Sequence, residues 1–207
     1  MIDFRLYLVG DRNQCAGRSL SDAILQAARA GVRAVQVREK DLSSIDLYEL
    51  AVEIRDVLAD FPCSVLINDR SDIAIAAGLS GVHLPESGMK VEIVRGILPT
   101  GSCIGVSTHS LAGAHRAISN GADFITFGPI FQTPSKVVYG PPLGIEALRE
   151  VCLDMNIPVF ALGGIKPQNT QQCLDAGAHG VGVISAILSA SNIEKAVVDF
   201  QHVLGKL

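Results

Sequence analysis

One local pattern recurs four times along the chain and constrains its fold more than any other feature. The copies are Ala30-Gly31-Val32-Arg33-Ala34-Val35-Gln36-Val37, Ala77-Gly78-Leu79-Ser80-Gly81-Val82-His83-Leu84, Asn120-Gly121-Ala122-Asp123-Phe124-Ile125-Thr126-Phe127 and Ala176-Gly177-Ala178-His179-Gly180-Val181-Gly182-Val183. Each follows a stretch with helical periodicity; before the first, Leu20, Ala23, Ile24, Ala27 and Ala28 form an apolar stripe. Gly after the last turn supplies the left-handed residue that stops a helix. The next residues alternate like a short buried strand. Each copy therefore reads as helix, stop, strand.

The spacing from Gly31 to Gly78, Gly121 and Gly177 is too long for one strand–helix unit and right for two. Apolar runs between the copies, at 63–67, 103–106 and 157–161, supply the missing strands, and 5–9 supplies the first. Strands this apolar suit a parallel sheet covered on its outside. Eight alternating units in 207 residues predict a single (β/α)₈ barrel over 1–207, since such barrels take roughly 200–250 residues. An open doubly wound sheet is the alternative, and it rarely runs to eight such regular units.

Composition narrows the function. A hydrophobic content of 48% with only 18% charged residues excludes a disordered chain. The net charge of −4 without a basic block argues against a nucleic-acid surface. An anionic ligand must then be held by a local pocket, not by the field of the whole molecule. Five scattered cysteines without a C-x-x-C read as reduced thiols. No segment reaches the roughly 18 apolar residues of a membrane span. The first apolar run, Leu6 to Val9, ends at once in Gly10-Asp11-Arg12, unlike a signal peptide. A cytoplasmic protein is expected, and association into a homo-oligomer is compatible with the sequence.

In this fold the working residues stand just past the C-terminal ends of the strands. After strand 2, alternation in Gln36-Val37-Arg38-Glu39-Lys40 puts Gln36, Arg38 and Lys40 on one face. A fork, a point charge and an amide suit a pyrophosphate, although an ordinary charged rim has the same residues. After strand 3, Asp69 in Asn68-Asp69-Arg70 has two readings: a Mg²⁺ ligand completed by substrate phosphate, or the N-cap of a helix over 71–77. His83, opening His83-Leu84-Pro85-Glu86-Ser87-Gly88, reads as a hydrogen-bonded barrel residue before it reads as a catalyst. In Ser107-Thr108-His109-Ser110, Thr108 or Ser110 can cap the next helix and one hydroxyl can face substrate.

After strand 6 a long loop runs from Gly128 to Leu143 and carries Thr133-Pro134-Ser135-Lys136. In so compact a chain a loop of that length serves as a lid or binding loop. Gly163-Gly164 after strand 7 and Ile184-Ser185-Ala186 after strand 8 let backbone N–H groups approach a ligand. These two loops form the usual phosphate site of such barrels.

Six segments, each at a different strand end, together resemble the thiamin phosphate synthase family over essentially the whole chain. They are Gln36-x-Arg38-Glu39-Lys40, Ile67-Asn68-Asp69-Arg70, Gly105-Val106-Ser107-Thr108-His109, Gly128-Pro129-Ile130-Phe131-x-Thr133-Pro134-Ser135-Lys136, Gly163-Gly164-Ile165 and Ile184-Ser185-Ala186-Ile187. The family joins 4-amino-2-methyl-5-pyrimidinylmethyl diphosphate to a thiazole phosphate and releases pyrophosphate. The resemblance implies that Gln36, Arg38, Lys40, Asn68 and Lys136 hold the pyrimidine diphosphate and that Ser107 faces the pyrimidine. It further implies that Thr133, Ser135 and the backbone of Gly164, Ile184 and Ser185 hold the thiazole phosphate, and that Asp69 binds Mg²⁺. Arg38, Lys40, Ser107 and Lys136 would carry the catalysis.

One position departs from the pattern. The family has a second Mg²⁺ carboxylate where this chain has Gly88, and Glu86 stands two residues away as a substitute. The stretch from His83 to Gly88 is similar instead to the related thiazole tautomerases, which would use His109 or His83 as acid–base group. Those enzymes resemble one another in a His where this chain has Pro129, and they tend to lack the equivalents of Gln36 and Lys136. The balance favours the synthase. A non-catalytic paralogue that binds thiazole or thiamin phosphate is a third reading, suggested by Gly88.

Overall fold

A computed structural model describes residues 2–133 and 141–205. In chain order the strands are β1 (Leu6–Gly10), β2 (Ala34–Val37), β3 (Ser64–Asn68), β4 (Gly81–Leu84), β5 (Cys103–Thr108), β6 (Phe124–Phe127), β7 (Val159–Leu162) and β8 (Gly180–Val183). The helices are α1 (Leu20–Arg29), α2 (Ser44–Val57), α3 (Ser71–Ala76), α4 (Val91–Ile97), α5 (Leu111–Ser119), α6 (Gly144–Asp154), α7 (Pro167–Asp175), α8 (Ser185–Leu188) and α9 (Ile193–Leu204). Every strand pairs in parallel with the next, and β8 pairs with β1, closing the barrel. The predicted strands are all present, displaced by a residue or two at their ends.

The repeated glycines do what their spacing implies. Gly31, Gly78, Gly121 and Gly177 all have positive φ, between 62° and 103°. At the first, Gly31 N–H donates to Ala28 O and Val32 N–H to Ala27 O. The same pair of bonds recurs at Gly78, Gly121 and Gly177. This is the Schellman arrangement, in which two carbonyls of the last turn find donors and the chain leaves at a fixed angle. The next residue then drops into the core, as Val32 does with 2% exposure.

Strand alternation separates two apolar layers. Leu6, Leu8, Val35, Val37, Val65, Ile67, Val82 and their counterparts face outward and are covered by the helices. Tyr7, Val9, Ala34, Leu66, Phe124 and Phe160 face inward and pack with Phe4 in a separate cluster. The inner rings meet at centroid distances of 5.1–6.2 Å. Large inward rings fit because other inward positions carry no side chain. A Cβ on Gly105 would lie 2.3 Å from Phe124 and 2.6 Å from His83.

Above the aromatic layer the same inward positions turn polar: Gln36, Asn68, His83, Ser107 and Thr126. Parallel register sets Asn68 beside His83 and Ser107 beside Thr126. The barrel is therefore a closed apolar plug below a polar mouth. All five cysteines are free. No helix among the described residues is long and apolar enough to cross a membrane.

Candidate active site

On the β2–β4 side of the mouth the structure brings Gln36, Arg38, Lys40, Asn68 and Asp69 to adjacent strand ends. Gln36 is buried, Arg38 and Asn68 are half-buried, and Lys40 and Asp69 are exposed. None of the five makes a side-chain hydrogen bond or salt bridge to another described residue. Several of their charged neighbours are paired. Glu39 binds Arg12 at 2.6 Å and Asp41 binds Arg12 at 2.7 Å. Arg70 binds Asp72 at 2.6 Å, and Glu86 binds Arg116 at 3.0 Å. Here two cations, two amides and a carboxylate stand uncommitted on one side of the mouth.

The Arg12–Glu39 pair shapes this rim from behind. Glu39 also accepts from Arg12 N–H at 2.6 Å, pinning the turn after β1 to the loop after β2. Burial pushes the Glu39 carboxyl above its usual range, and the hydrogen bonds and charge of Arg12 oppose that rise. This brace escaped the sequence reading because the partners lie far apart and Arg-Glu-Lys is unremarkable as text.

Asp69 is not a helix cap. The N-cap of α3 is Arg70, with no side-chain capping bond. Asp69 instead has φ of 63°, and its N–H donates to His83 O at 3.0 Å. Left-handed backbone at a non-Gly residue is uncommon, and Asp is among the residues that tolerate it. Here it leaves the carboxylate at the mouth.

Gly88 lies against that carboxylate: a Cβ there would be 3.1 Å from Asp69 Oδ1. The departure from the family pattern thus falls directly beside Asp69. Glu86 does not fill the gap, because it accepts from His109 N–H at 3.1 Å and from Arg116. Those contacts turn it towards α5, where the missing side chain of Gly113 makes room for it. Among the described residues no group of three His, Cys, Asp or Glu could hold a metal. One carboxylate remains, which suits an ion completed by waters and substrate oxygens.

At the centre, His83 Nε2 lies 3.0 Å from Ser107 Oγ and 3.4 Å from Thr126 Oγ1. His83 Nδ1 lies 3.3 Å from the Tyr7 hydroxyl. Burial, with a smaller contribution from the nearby charge of Arg38, lowers the imidazole to a pKa of about 3. His83 is therefore neutral and hydrogen-bonded, which suits a barrel residue and not an acid–base catalyst at neutral pH. Of the other hydroxyls in this segment, Ser110 caps α5 through Gly113 N–H. Thr108 is buried and donates to Thr126 O. Ser107 alone is left at the mouth.

On the β6–β8 side, backbone replaces side chains. The start of the long loop is tied to the end of β7 by Ile130 N–H to Leu162 O and Phe131 N–H to Gly163 O. Leu143 N–H to Pro129 O and Gly144 N–H to Ile130 O close its base. Thr133 is the last described residue before the gap; Ser135 and Lys136 lie outside the described residues. Gly164 has φ of 65°, and a Cβ there would be 2.7 Å from Gln132 O. No described acceptor meets the N–H groups of Gly164 and Ser185. Register sets Leu162 beside Gly182, so these two strand ends are neighbours. Ile184, the N-cap of α8, follows β8 directly and packs against the inner cluster.

A closed barrel with uncommitted cations on one side of its mouth and N–H groups without a described acceptor on the other fits an enzyme of phosphorylated substrates. Comparison with known proteins makes this particular: residues 6–187 match the family model of thiamine monophosphate synthase, and the chain belongs to that family. A Geobacter sulfurreducens protein provisionally named thiamine-phosphate synthase is 52% identical, covering 91% of this chain and 88% of its own. The thiamine-phosphate synthase of Clostridium novyi is 40% identical over 94% of this chain and 96% of its own. Among solved structures, a thiamine phosphate pyrophosphorylase from Pyrococcus furiosus superimposes with a TM-score of 0.88 at 30% identity, covering 97% and 95% of the two chains. A 3-hexulose-6-phosphate synthase, at 15% identity and a TM-score of 0.75, shares the fold alone.

Proposed function

We propose that this protein couples 4-amino-2-methyl-5-pyrimidinylmethyl diphosphate to thiazole phosphate, giving thiamin phosphate and pyrophosphate. The observation that carries the reading is the set Gln36, Arg38, Lys40, Asn68 and Asp69, uncommitted among the described residues, beside Glu39, Arg70 and Glu86, which are ion-paired. A tautomerase has no diphosphate to release and no use for that set. The whole chain, 1–207, acts as one catalytic domain in the cytoplasm.

The chemistry follows from the inventory. The bond from the pyrimidinylmethyl carbon to the diphosphate oxygen breaks, and its electron pair leaves with pyrophosphate. The aminopyrimidine ring stabilises the carbocation. The thiazole nitrogen lone pair then forms the new C–N bond. Such a step asks for stabilisation of the leaving charge and for positioning, not for a strong base. Arg38 and Lys40 meet the leaving oxygens, Gln36 and Asn68 orient the diphosphate, and Ser107 faces the pyrimidine. Lys136, carried by the family resemblance, adds a third cation.

Thr133, Ser135 and the backbone N–H groups of Gly164, Ile184 and Ser185 receive the thiazole phosphate. Mg²⁺, when bound, supplies further positive charge to the diphosphate oxygens, and Asp69 is the residue that would hold it. A steady-state assay with both substrates, with and without Mg²⁺, tests the reading. Pyrophosphate release that depends on thiazole phosphate is expected. Isomerisation of a thiazole phosphate carboxylate, or binding without turnover, would replace it.

A further inference from the structure

The Tyr7 phenol is buried among Phe4, Phe124, Phe160 and the ring of His83. Its hydroxyl has one hydrogen-bond partner among the described residues, His83 Nδ1. A phenol proton enclosed by aromatic rings has nowhere else to go, and leaving it unmet is costly. Nδ1 must then present its lone pair. In a neutral imidazole the proton consequently sits on Nε2. Nε2 donates to Ser107 Oγ at 3.0 Å, with Thr126 Oγ1 as a more distant second acceptor at 3.4 Å.

The opposite tautomer would let Ser107 and Thr126 donate to Nε2, but it would strand the Tyr7 proton inside the aromatic layer. No carboxylate among the described residues touches either ring nitrogen, so nothing else decides the tautomer. Gly105 admits the ring to this place, since a Cβ there would fall 2.6 Å from Nδ1. A serine hydroxyl that accepts from His83 keeps its own proton for another partner. Ser107 stands at the end of β5, half-buried and closer to the mouth than His83.

We propose that Tyr7 and His83 are positioning residues that fix Ser107 as a hydrogen-bond donor into the mouth. The aromatic substrate seated there is then recognised through an acceptor, an unprotonated ring nitrogen, and not through its amino group. The inference rests on the reading of Ser107 as the residue facing the pyrimidine.

Long-range ¹H–¹⁵N correlation spectra of the full chain report the tautomer without any turnover. The expected result for His83 is the Nε2–H form, shifting towards a mixture in Tyr7→Phe, where no phenol donates to Nδ1. An Nδ1–H tautomer in the unaltered protein would overturn the relay. Catalysis supplies the second readout. His83→Gln, whose amide can place an N–H near the position of Nε2, should retain kcat/KM for the pyrimidine diphosphate better than His83→Asn, by roughly tenfold for one hydrogen bond. The KM for thiazole phosphate should not change in either.

An analogue with the critical ring nitrogen replaced by C–H should lose about the same factor against the unaltered enzyme and nothing further against Ser107→Ala. If removal of the amino group shows that behaviour instead, Ser107 is an acceptor and the proposal fails. Absence of all turnover would count against the synthase reading, while the spectra would still decide the tautomer.

Discussion

On the β2–β4 side of the mouth, the anion recognition proposed above lies in side chains: Arg38 and Lys40 bring charge, and Gln36 and Asn68 bring amides. On the β7–β8 side the proposal puts it in the backbone, where the N–H groups of Gly164 and Ser185 meet no described acceptor. A side-chain site can be dismantled one group at a time, and its energetics follow charge. A backbone site depends on the path of the chain, so a substitution acts through geometry. The two halves should therefore fail in different ways.

The largest effect is expected at Arg38. Arg38→Ala should lower kcat/KM by roughly a hundredfold or more, since one charge-assisted contact to developing charge is worth about 3 kcal/mol. The half-buried guanidinium holds no hydrogen bond or salt bridge to another described residue, so the thermal midpoint should hold. Steady-state kinetics beside a melting curve checks both. Near-normal turnover would take Arg38 out of the site and leave the side-chain half of the comparison without its main charge.

Gly164→Ala should behave differently. Its Cβ meets Gln132 O at 2.7 Å in a left-handed backbone, so the loop after β6 must shift. The expected outcome is a rise of about tenfold in the KM for thiazole phosphate, as for a displaced charge-assisted contact. A smaller change for the dephosphorylated thiazole alcohol, and a lower melting midpoint, should accompany it. Equal binding of the phosphate and the alcohol by the unaltered protein would remove the phosphate site from this rim.

The metal divides the side-chain half further. With Asp69 as the one carboxylate beside Gly88, Mg²⁺ affinity in the free protein should be weak and should appear when the pyrimidine diphosphate is added. Titration calorimetry with the metal alone and then with both reads this directly. Asp69→Asn should raise the Mg²⁺ concentration needed for half-maximal rate several-fold, as expected when a charged ligand becomes neutral. Gly88→Asp should lower it. The backbone at Gly88 is not left-handed, but the new Cβ would meet Pro85 at 2.9–3.0 Å, so the local turn must give slightly. Unchanged Mg²⁺ dependence in Asp69→Asn would end the assignment.

The smallest effect is one on stability, and it belongs to the layer between the two halves. His83 has its pKa lowered to about 3 in the folded protein, against about 6.5 when unfolded. Above pH 6.5 it is neutral in both states. As pH falls below that, the unfolded chain takes up a proton that the fold refuses, and stability is lost at up to about 1.4 kcal/mol per pH unit. The groups facing the imidazole are the Tyr7 hydroxyl, the Ser107 and Thr126 hydroxyls and the charge of Arg38, none of which reverses that sign. In His83→Gln this component disappears. Its stability deficit relative to the unaltered protein should shrink between pH 6.5 and 4.5, as read from urea midpoints. A constant deficit would place the titration elsewhere.

Much of this molecule was legible in one dimension, because the relevant signals are local. The helix stops at Gly31, Gly78, Gly121 and Gly177 come from the absence of a Cβ. Strand alternation separates Val35 and Val37 from Ala34 and Gln36 without any knowledge of their neighbours. From those two facts the eight-unit barrel follows, and the barrel in turn nominates the strand ends. What the sequence could not decide was which groups at those ends already have partners. Arg38 and Arg12 are the same residue type on the same rim, yet Arg12 is bound to Glu39 and Asp41 while Arg38 is uncommitted. Asp69 was equally readable as a helix cap or a ligand until its left-handed backbone turned it to the mouth. Glu86 stands two residues from the position of the missing carboxylate, but Arg116 and the His109 N–H hold it away. Nothing in the sequence singles out Tyr7, and only closure of β1 across the barrel from β4 sets its hydroxyl against His83. Pairing between side chains distant in sequence depends on the closed register of eight strands, and that register exists only once the barrel has formed.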